Sequence, residues 1–109
     1  MSAVIVNGRR LEARVRKRMA DPEWRGRQSV ELTLEMDSRE AAEIWIHDVE
    51  WSLERAFTDP DGVAITEETD MSAYSVAGPV IDNRDGTVTV KMGILTEREA
   101  LDIVMRGVF

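Results

Sequence analysis

Cysteine is absent from the 109 residues, and histidine occurs once, at His47. The first absence excludes disulfides and thiolate metal sites, and nothing then argues for an oxidising compartment. The second excludes a histidine-based metal cluster and a Cys-His nucleophile pair within one chain. Proline and glycine are sparse, at three and seven residues, with no linker rich in either and no internal repeat. No apolar run approaches the ~20 residues of a membrane span. The opening MSAVIVNGRR has no basic region ahead of its short apolar run, so it does not read as a signal peptide. The expectation is a cytoplasmic protein with no membrane partner.

What is present is ordinary for a globular chain: 43% apolar and 32% charged residues, enough for one domain over residues 1–109 with a modest core. The net charge of −7 conceals an asymmetry. Residues 1–27 carry eight Arg or Lys against three acids, a balance of +5; residues 28–109 carry six against eighteen, a balance of −12. Such polarity suits a nucleic-acid arm, or two segments that lie against each other or against a neighbouring copy.

Along the chain, Ala3–Val6, Asn7-Gly8 and Arg9–Met19 read as a hairpin with a two-residue turn. Its second strand places Leu11, Ala13, Val15 and Met19 on one face and Arg10, Glu12, Arg14, Arg16 and Arg18 on the other, with Lys17 breaking the apolar face. A loop leads to QSVELTLEMD, where Val30, Leu32, Leu34 and Met36 alternate with Glu31, Thr33, Glu35 and Asp37. Antiparallel neighbours point opposed residues to the same side. Burying both apolar faces together therefore sets Arg14–Arg18 across from Glu31, Glu35 and Asp37, and the chain cancels its own polarity.

Asp37 with Glu40 predicts a capped helix over Ser38–His47 that buries Ala41, Ile44 and Trp45. Val49, Trp51 and Leu53 alternate as a strand, and residues 58–72 read as a long exposed loop. Ala73–Asp82 and Thr87–Gly93 predict a hairpin closed at Asn83–Thr87. Thr96 with Glu99 is a second capping box, heading a helix whose Ala100, Leu101, Val104, Met105 and Val108 should pack on the sheet. The order is β-β-β-α-β-β-β-α. It predicts an α+β fold: a mostly antiparallel sheet of about six strands, or a small partly open barrel, with two helices.

The turn NRDGT crowds Asp82, Asn83 and Asp85 around one glycine. A calcium loop starting at Asp82 would put Arg84 where a ligand belongs, and one starting at Asp59 would put Val63 there. A three-residue loop of type I geometry with a left-handed Gly86 instead pairs Asn83 with Thr87, Val80 with Val90 and Gly78 with Met92. No cofactor or metal is expected. His47, beside Trp45 and Ile46, reads as a packing residue at a helix end. The acids Glu67-Glu68 and Asp59/Asp61 lie in polar sequence without the burial that general acid–base work requires. No phosphate-cradling glycine motif occurs, and no small-molecule substrate is evident.

Trp45 and Trp51 fall at core positions, whereas Trp24 lies in a loop between charged residues. It either meets a partner or folds back over a sheet edge. Arginine and aromatic residues are enriched at protein contacts, which selects Trp24, Arg25 and Arg27, then Arg14, Arg16 and Arg18, as an interaction set. Glu67, Glu68 and Asp70 form a counter-surface. The same basic set could contact phosphates, with Trp24 as a stacking ring, although the net negative charge speaks against that use.

The segment YSVAGPVIDNRDGTVTVKMG, followed by the Thr-capped helix, resembles the C-terminal part of small proteins encoded in prophages of intestinal bacteria. The matching residues are Ala77-Gly78, Asp82 and Arg84-Asp85-Gly86-Thr87-Val88; residues 1–70 take no part. The resemblance implies a virion or assembly component that works by interaction, and supplies no catalytic residue. The expectation is a non-enzymatic interaction or assembly module that associates with itself or other proteins. The alternative is a nucleic-acid-binding module using residues 9–27.

Overall fold

The computed structural model describes residues 2–107. Eight strands and two helices follow one another as β1 (Ser2–Val6), β2 (Arg9–Asp21), β3 (Arg27–Glu35), α1 (Ser38–Ile44), β4 (Trp51–Thr58), β5 (Ala64–Asp70), β6 (Val76–Ala77), β7 (Ile81–Asp82), β8 (Thr87–Gly93) and α2 (Glu97–Gly107). The fold is α+β with an open antiparallel sheet ordered β5-β4-β1-β2-β3-β8-β6, β7 also pairing with β8. There are more strands than the expected six, and their order along the chain differs accordingly.

Asn7 and Gly8 both have positive φ, 52° and 75°, the geometry a two-residue hairpin turn demands, and Val6 pairs with Arg9 across them. β2 then divides its labour. Residues 9–12 pair with β1 and residues 13–21 pair with β3, so two half-sheets are joined through one strand. Their apolar faces meet in a single core. Val30, Leu32 and Leu34 lie opposite Met92, Val90 and Val88, all at most 1% exposed. From the other half come Val4, Val6, Trp51 and Leu53, and α1 contributes Ala41 and Ile44. Trp45 and Trp51 stack edge to face at 5.2 Å, and the Trp51 indole N–H donates to the Tyr74 carbonyl at 3.2 Å. Both tryptophans are buried, as their positions in the sequence required.

Helix α1 starts where expected. The Asp37 carboxylate accepts from the Arg39 N–H, but Glu40 turns outward to Arg9 at 2.8 Å. The helix stops at Ile44, three residues short of His47, and Trp45 leaves it in a non-helical conformation. The span 58–72 is not a loop. Asp59-Pro60-Asp61-Gly62 forms a hairpin turn in which Asp59 Oδ1 accepts from the Asp61 and Val63 N–H groups, and Gly62 takes φ 82°. β5 follows, paired with β4 over residues 64–70. Six of its seven residues are exposed, so burial left no alternation in the sequence to reveal it.

The last hairpin closes at the expected residues, with the Asn83 N–H donating to the Thr87 carbonyl at 3.1 Å. Arg84 has φ 60°, however, so the turn does not begin with type I geometry. Further along, Ala77 rather than Gly78 lies opposite Met92, while Ile81 lies opposite Thr89. The register slips by one residue between them, at Gly78-Pro79. Proline has no N–H for the ladder, and the slip turns Ala77 instead of Val76 towards the core.

Helix α2 corrects a further expectation. It does not lie down on the sheet: Leu101, Ile103, Val104 and Met105 are 60%, 56%, 63% and 53% exposed. Val108 lies outside the described residues. The Cα radius of gyration is 15.6 Å, against about 13 Å for a compact chain of this length. No helix among the described residues is long and apolar enough to cross a membrane.

Candidate functional site

The segment after β2 builds the first part of the site. A bulge between Arg18 and Asp21 turns Met19 outward and carries the Asp21 carboxylate to 0% exposure. There it accepts from Lys91 Nζ at 3.1 Å and from the Glu23 N–H. Burial pushes the Asp21 pKa up, but the Lys91 hydrogen bond, the Glu23 amide and the charges of Lys91 and Arg18 bring it below the usual carboxylate value. Asp21 thereby caps a short 3-10 turn, Pro22–Trp24, after which Arg25 and Gly26 adopt positive φ. The chain reverses and delivers Trp24 and Arg27 to the same face.

There, the Trp24 ring lies over two glycines, Gly93 of β8 and Gly78. A strand-interior glycine marks a close approach, and here the approaching group is an indole. The Arg27 guanidinium carbon sits 4.6 Å from the ring centroid. Arg27 itself is buried and donates through both terminal nitrogens to Glu99 at 2.7 Å each, with a further bond to the Ile94 carbonyl. Hydrogen bonds from Arg27 first, then from the Thr96 N–H, lower the Glu99 pKa to about 2. Thr96 and Glu99 also exchange the two reciprocal bonds of a capping box. Glu99 therefore fixes the first turn of α2 twice, to its own cap and to β3.

Of the residues singled out in the sequence, Arg27 is spent inside the molecule and presents no surface. Trp24 is half-buried over the sheet edge, while Arg25 stays exposed with an ion pair to Glu99 at 3.6 Å. The basic and acidic ribbons do adjoin, but in a different register from the one that matches charges throughout. Arg16 faces Glu31, whereas Arg14 faces Thr33 and Arg18 faces Ser29. One carboxylate, Glu31, lies within 4.0 Å of Arg16, 3.8 Å of Arg18 and 3.6 Å of Lys91. Arg14 and Lys17 remain exposed, with no ion pair among the described residues.

On the opposite margin, β5 exposes Glu67, Glu68 and Asp70. Glu68 accepts from Ser52 Oγ at 2.8 Å. The Asp70 pKa is lowered by hydrogen bonds from the Ser72 hydroxyl and N–H. These acids belong to a paired strand, not to the exposed loop expected for residues 58–72, and they lie far along the sheet from Trp24 and Arg25.

The turn that crowds Asp82, Asn83 and Asp85 uses its oxygens internally. Asp82 accepts from the Arg84 N–H, and Asp85 accepts from the Thr87 N–H and hydroxyl. Asn83 bonds to Thr87 and Thr89. Among the described residues no group of three His, Cys, Asp or Glu is placed to hold a metal ion. His47 is exposed and its Nδ1 accepts from the Ala77 N–H, which ties the helix exit to the short strand β6.

The residues singled out from the sequence do not include the exposed apolar stripe of α2. Ala100, Leu101, Val104 and Met105 recur at helical spacing. Their spacing specifies an amphipathic helix, and the sheet expected to cover it leaves it exposed. No protein-family model, no curated protein and no solved structure matches the chain.

Proposed function

We propose that this chain is a non-enzymatic assembly module that associates with copies of itself through its projecting C-terminal helix and its open sheet margins. The observation that carries the reading is α2: an amphipathic helix anchored at its first turn by Arg27 and Glu99, with Leu101, Val104 and Met105 more than half exposed. Apolar side chains clustered in solvent are a cost unless a partner covers them. A rigid anchor reduces the ordering penalty of covering them. The acids with shifted pKa, Asp21, Asp70, Asp85 and Glu99, are all shifted downward. That direction supports structural pairing over general acid–base catalysis, which needs values nearer neutrality. Glu31, shared by Arg16, Arg18 and Lys91, supports a protein partner over a polynucleotide. The prophage resemblance supplies a fitting setting, a component of virion assembly.

The test is mass against concentration by light scattering and sedimentation. The wild-type mass should rise with concentration. Replacing Leu101, Val104 and Met105 together by serine removes about 1 kcal/mol of burial each, and should weaken association by about a hundredfold without altering the far-UV spectrum. A single-chain mass at every concentration, or a triple variant that associates like the wild type, would refute the reading.

A further inference from the structure

Two stretches of unpaired strand edge, half of interior β2 and the outer side of terminal β5, differ in charge. Among the described residues, β2 pairs with β1 over residues 9–12 and not beyond. Beyond that point its outer edge is open and carries Arg14, Arg16, Lys17 and Arg18. Among the described residues β5 pairs with β4 alone, and its outer edge carries Glu67, Glu68 and Asp70. Of these two edges, the first is basic and the second acidic.

Free edges invite another strand, and their charges decide which one. In an antiparallel pair, residues whose backbone groups point outward must meet others of the same kind. On β2 the alternation runs from the turn-flanking pair Val6 and Arg9, so Val15 and Lys17 aim their N–H and C=O outward. On β5 it runs from the Asp59 N–H bonded to the Val63 carbonyl, so Thr66 and Glu68 aim outward. Two copies of β2 placed edge to edge about Lys17 would set Lys17 against Lys17 and Arg16 against Arg18. Two copies of β5 about Glu68 would set Glu68 against Glu68. A β5 pair centred on Thr66 avoids the clash without opposing any unlike charges, but opposed like charges are destabilising, so the two registers above are disfavoured.

The mixed pairing is not. With Lys17 opposite Glu68, Arg18 falls opposite Glu67 and Arg16 opposite Thr69. Sliding by two residues in either direction keeps the backbone pattern but leaves a single opposed pair, Arg16 with Glu67 or Lys17 with Asp70. We propose that the acidic outer edge of β5 in one copy adds antiparallel to the open basic half-edge of β2 in the next, in the register that opposes Lys17 to Glu68 and Arg18 to Glu67. Because the two surfaces are different, each copy keeps one of each free, and assembly runs head to tail into a ring or a filament. This rests on the self-association reading above but on a separate surface from α2.

The cysteine-free chain makes the test clean. Within one copy β2 and β5 are separated by β1 and β4, about 14 Å at ordinary strand spacing. That is too far for a disulfide, whose Cα atoms lie about 4.4–6.8 Å apart. Full-length Lys17→Cys and Glu68→Cys, distinguished by mass labels, are mixed and oxidised. A disulfide-linked dimer containing one of each should dominate over either like pair. Separately, Lys17→Glu with Arg18→Glu should weaken association by about tenfold, and mixing that variant with Glu67→Lys, Glu68→Lys should restore it. If the wild type associates yet like-pair dimers dominate, or charge reversal leaves association unchanged, strand addition is overturned and the assembly reading survives. If the wild type remains a single chain at all concentrations, both fall.

Discussion

Replacing Gly93 by alanine probes the junction that orients α2. An added Cβ would lie 2.6 Å from Arg27 Cδ, 3.0 Å from Trp24 Cζ3 and 3.3 Å from Trp24 Cη2. Non-bonded carbons settle at about 3.5–4.0 Å, so Arg27 Cδ must retreat by about 1 Å. It has little room. Its side chain is 2% exposed, and its guanidinium is held by the Ile94 carbonyl and both oxygens of Glu99. Overpacking of this kind costs about 1–3 kcal/mol, equivalent to roughly 5–20 °C in Tm for a domain near this size. The assay is thermal unfolding followed by far-UV circular dichroism, repeated in an Arg27→Ala background. There the obstructing carbon is gone, and most of the penalty should vanish, a coupling well above the roughly 0.5 kcal/mol tolerance of additivity. Gly78→Ala, whose nearest contacts are 3.1 Å to Lys91 Cβ and 3.2 Å to Trp24, should cost less. A Gly93→Ala protein melting within about 1 °C of wild type, or an equal shift in both backgrounds, would refute this account of the junction.

Two further expectations follow from the core and from the clamp. Leu32, at 0% exposure between Val15 and Val90, should lose about 2–5 kcal/mol on truncation to alanine, measured by urea unfolding with an unchanged slope. Glu99 has a folded pKa of about 2 against a usual 4.5. Its contribution is therefore complete above pH 4.5 and is lost as pH falls from there towards 2. The urea midpoints of wild type and Glu99→Gln should be well separated at pH 6, draw together below pH 4.5 and converge only below pH 2; a constant gap would mean that the carboxylate is not the group involved.

Local chemistry made much of the fold legible. Asn7-Gly8, the alternation from Val30 to Met36, the Asp37 cap and the Thr96–Glu99 box each specify their own conformation, and each stands where its residues indicate. What escaped depends on surroundings. β5 is an edge ribbon with almost no buried face, so AITEETD could not display the alternation by which β3 declares itself. The slip at Gly78-Pro79 is set by which neighbour can donate to β8, and neighbouring residues alone do not encode it. Helix α2 shows the limit most clearly, because its sequence states that an apolar face exists but not what covers it. Arg27 resembled its exposed neighbours Arg14 and Arg16. The clue to its burial lay far away, in the glycine that ends VTVKMG and leaves room for an indole and an aliphatic stem.

The way β2 serves two neighbours in succession makes it the phase reference of the whole molecule. Glu12 is the last residue aligned with β1, and Ala13 is the first aligned with β3. Side chains alternate with a period of two, so one residue inserted at that boundary would leave each half internally intact while rotating one against the other by half a turn. Val30, Leu32 and Leu34 would then look away from Val4 and Val6. An insertion of two would restore the parity, so chain length at this point is constrained to even steps.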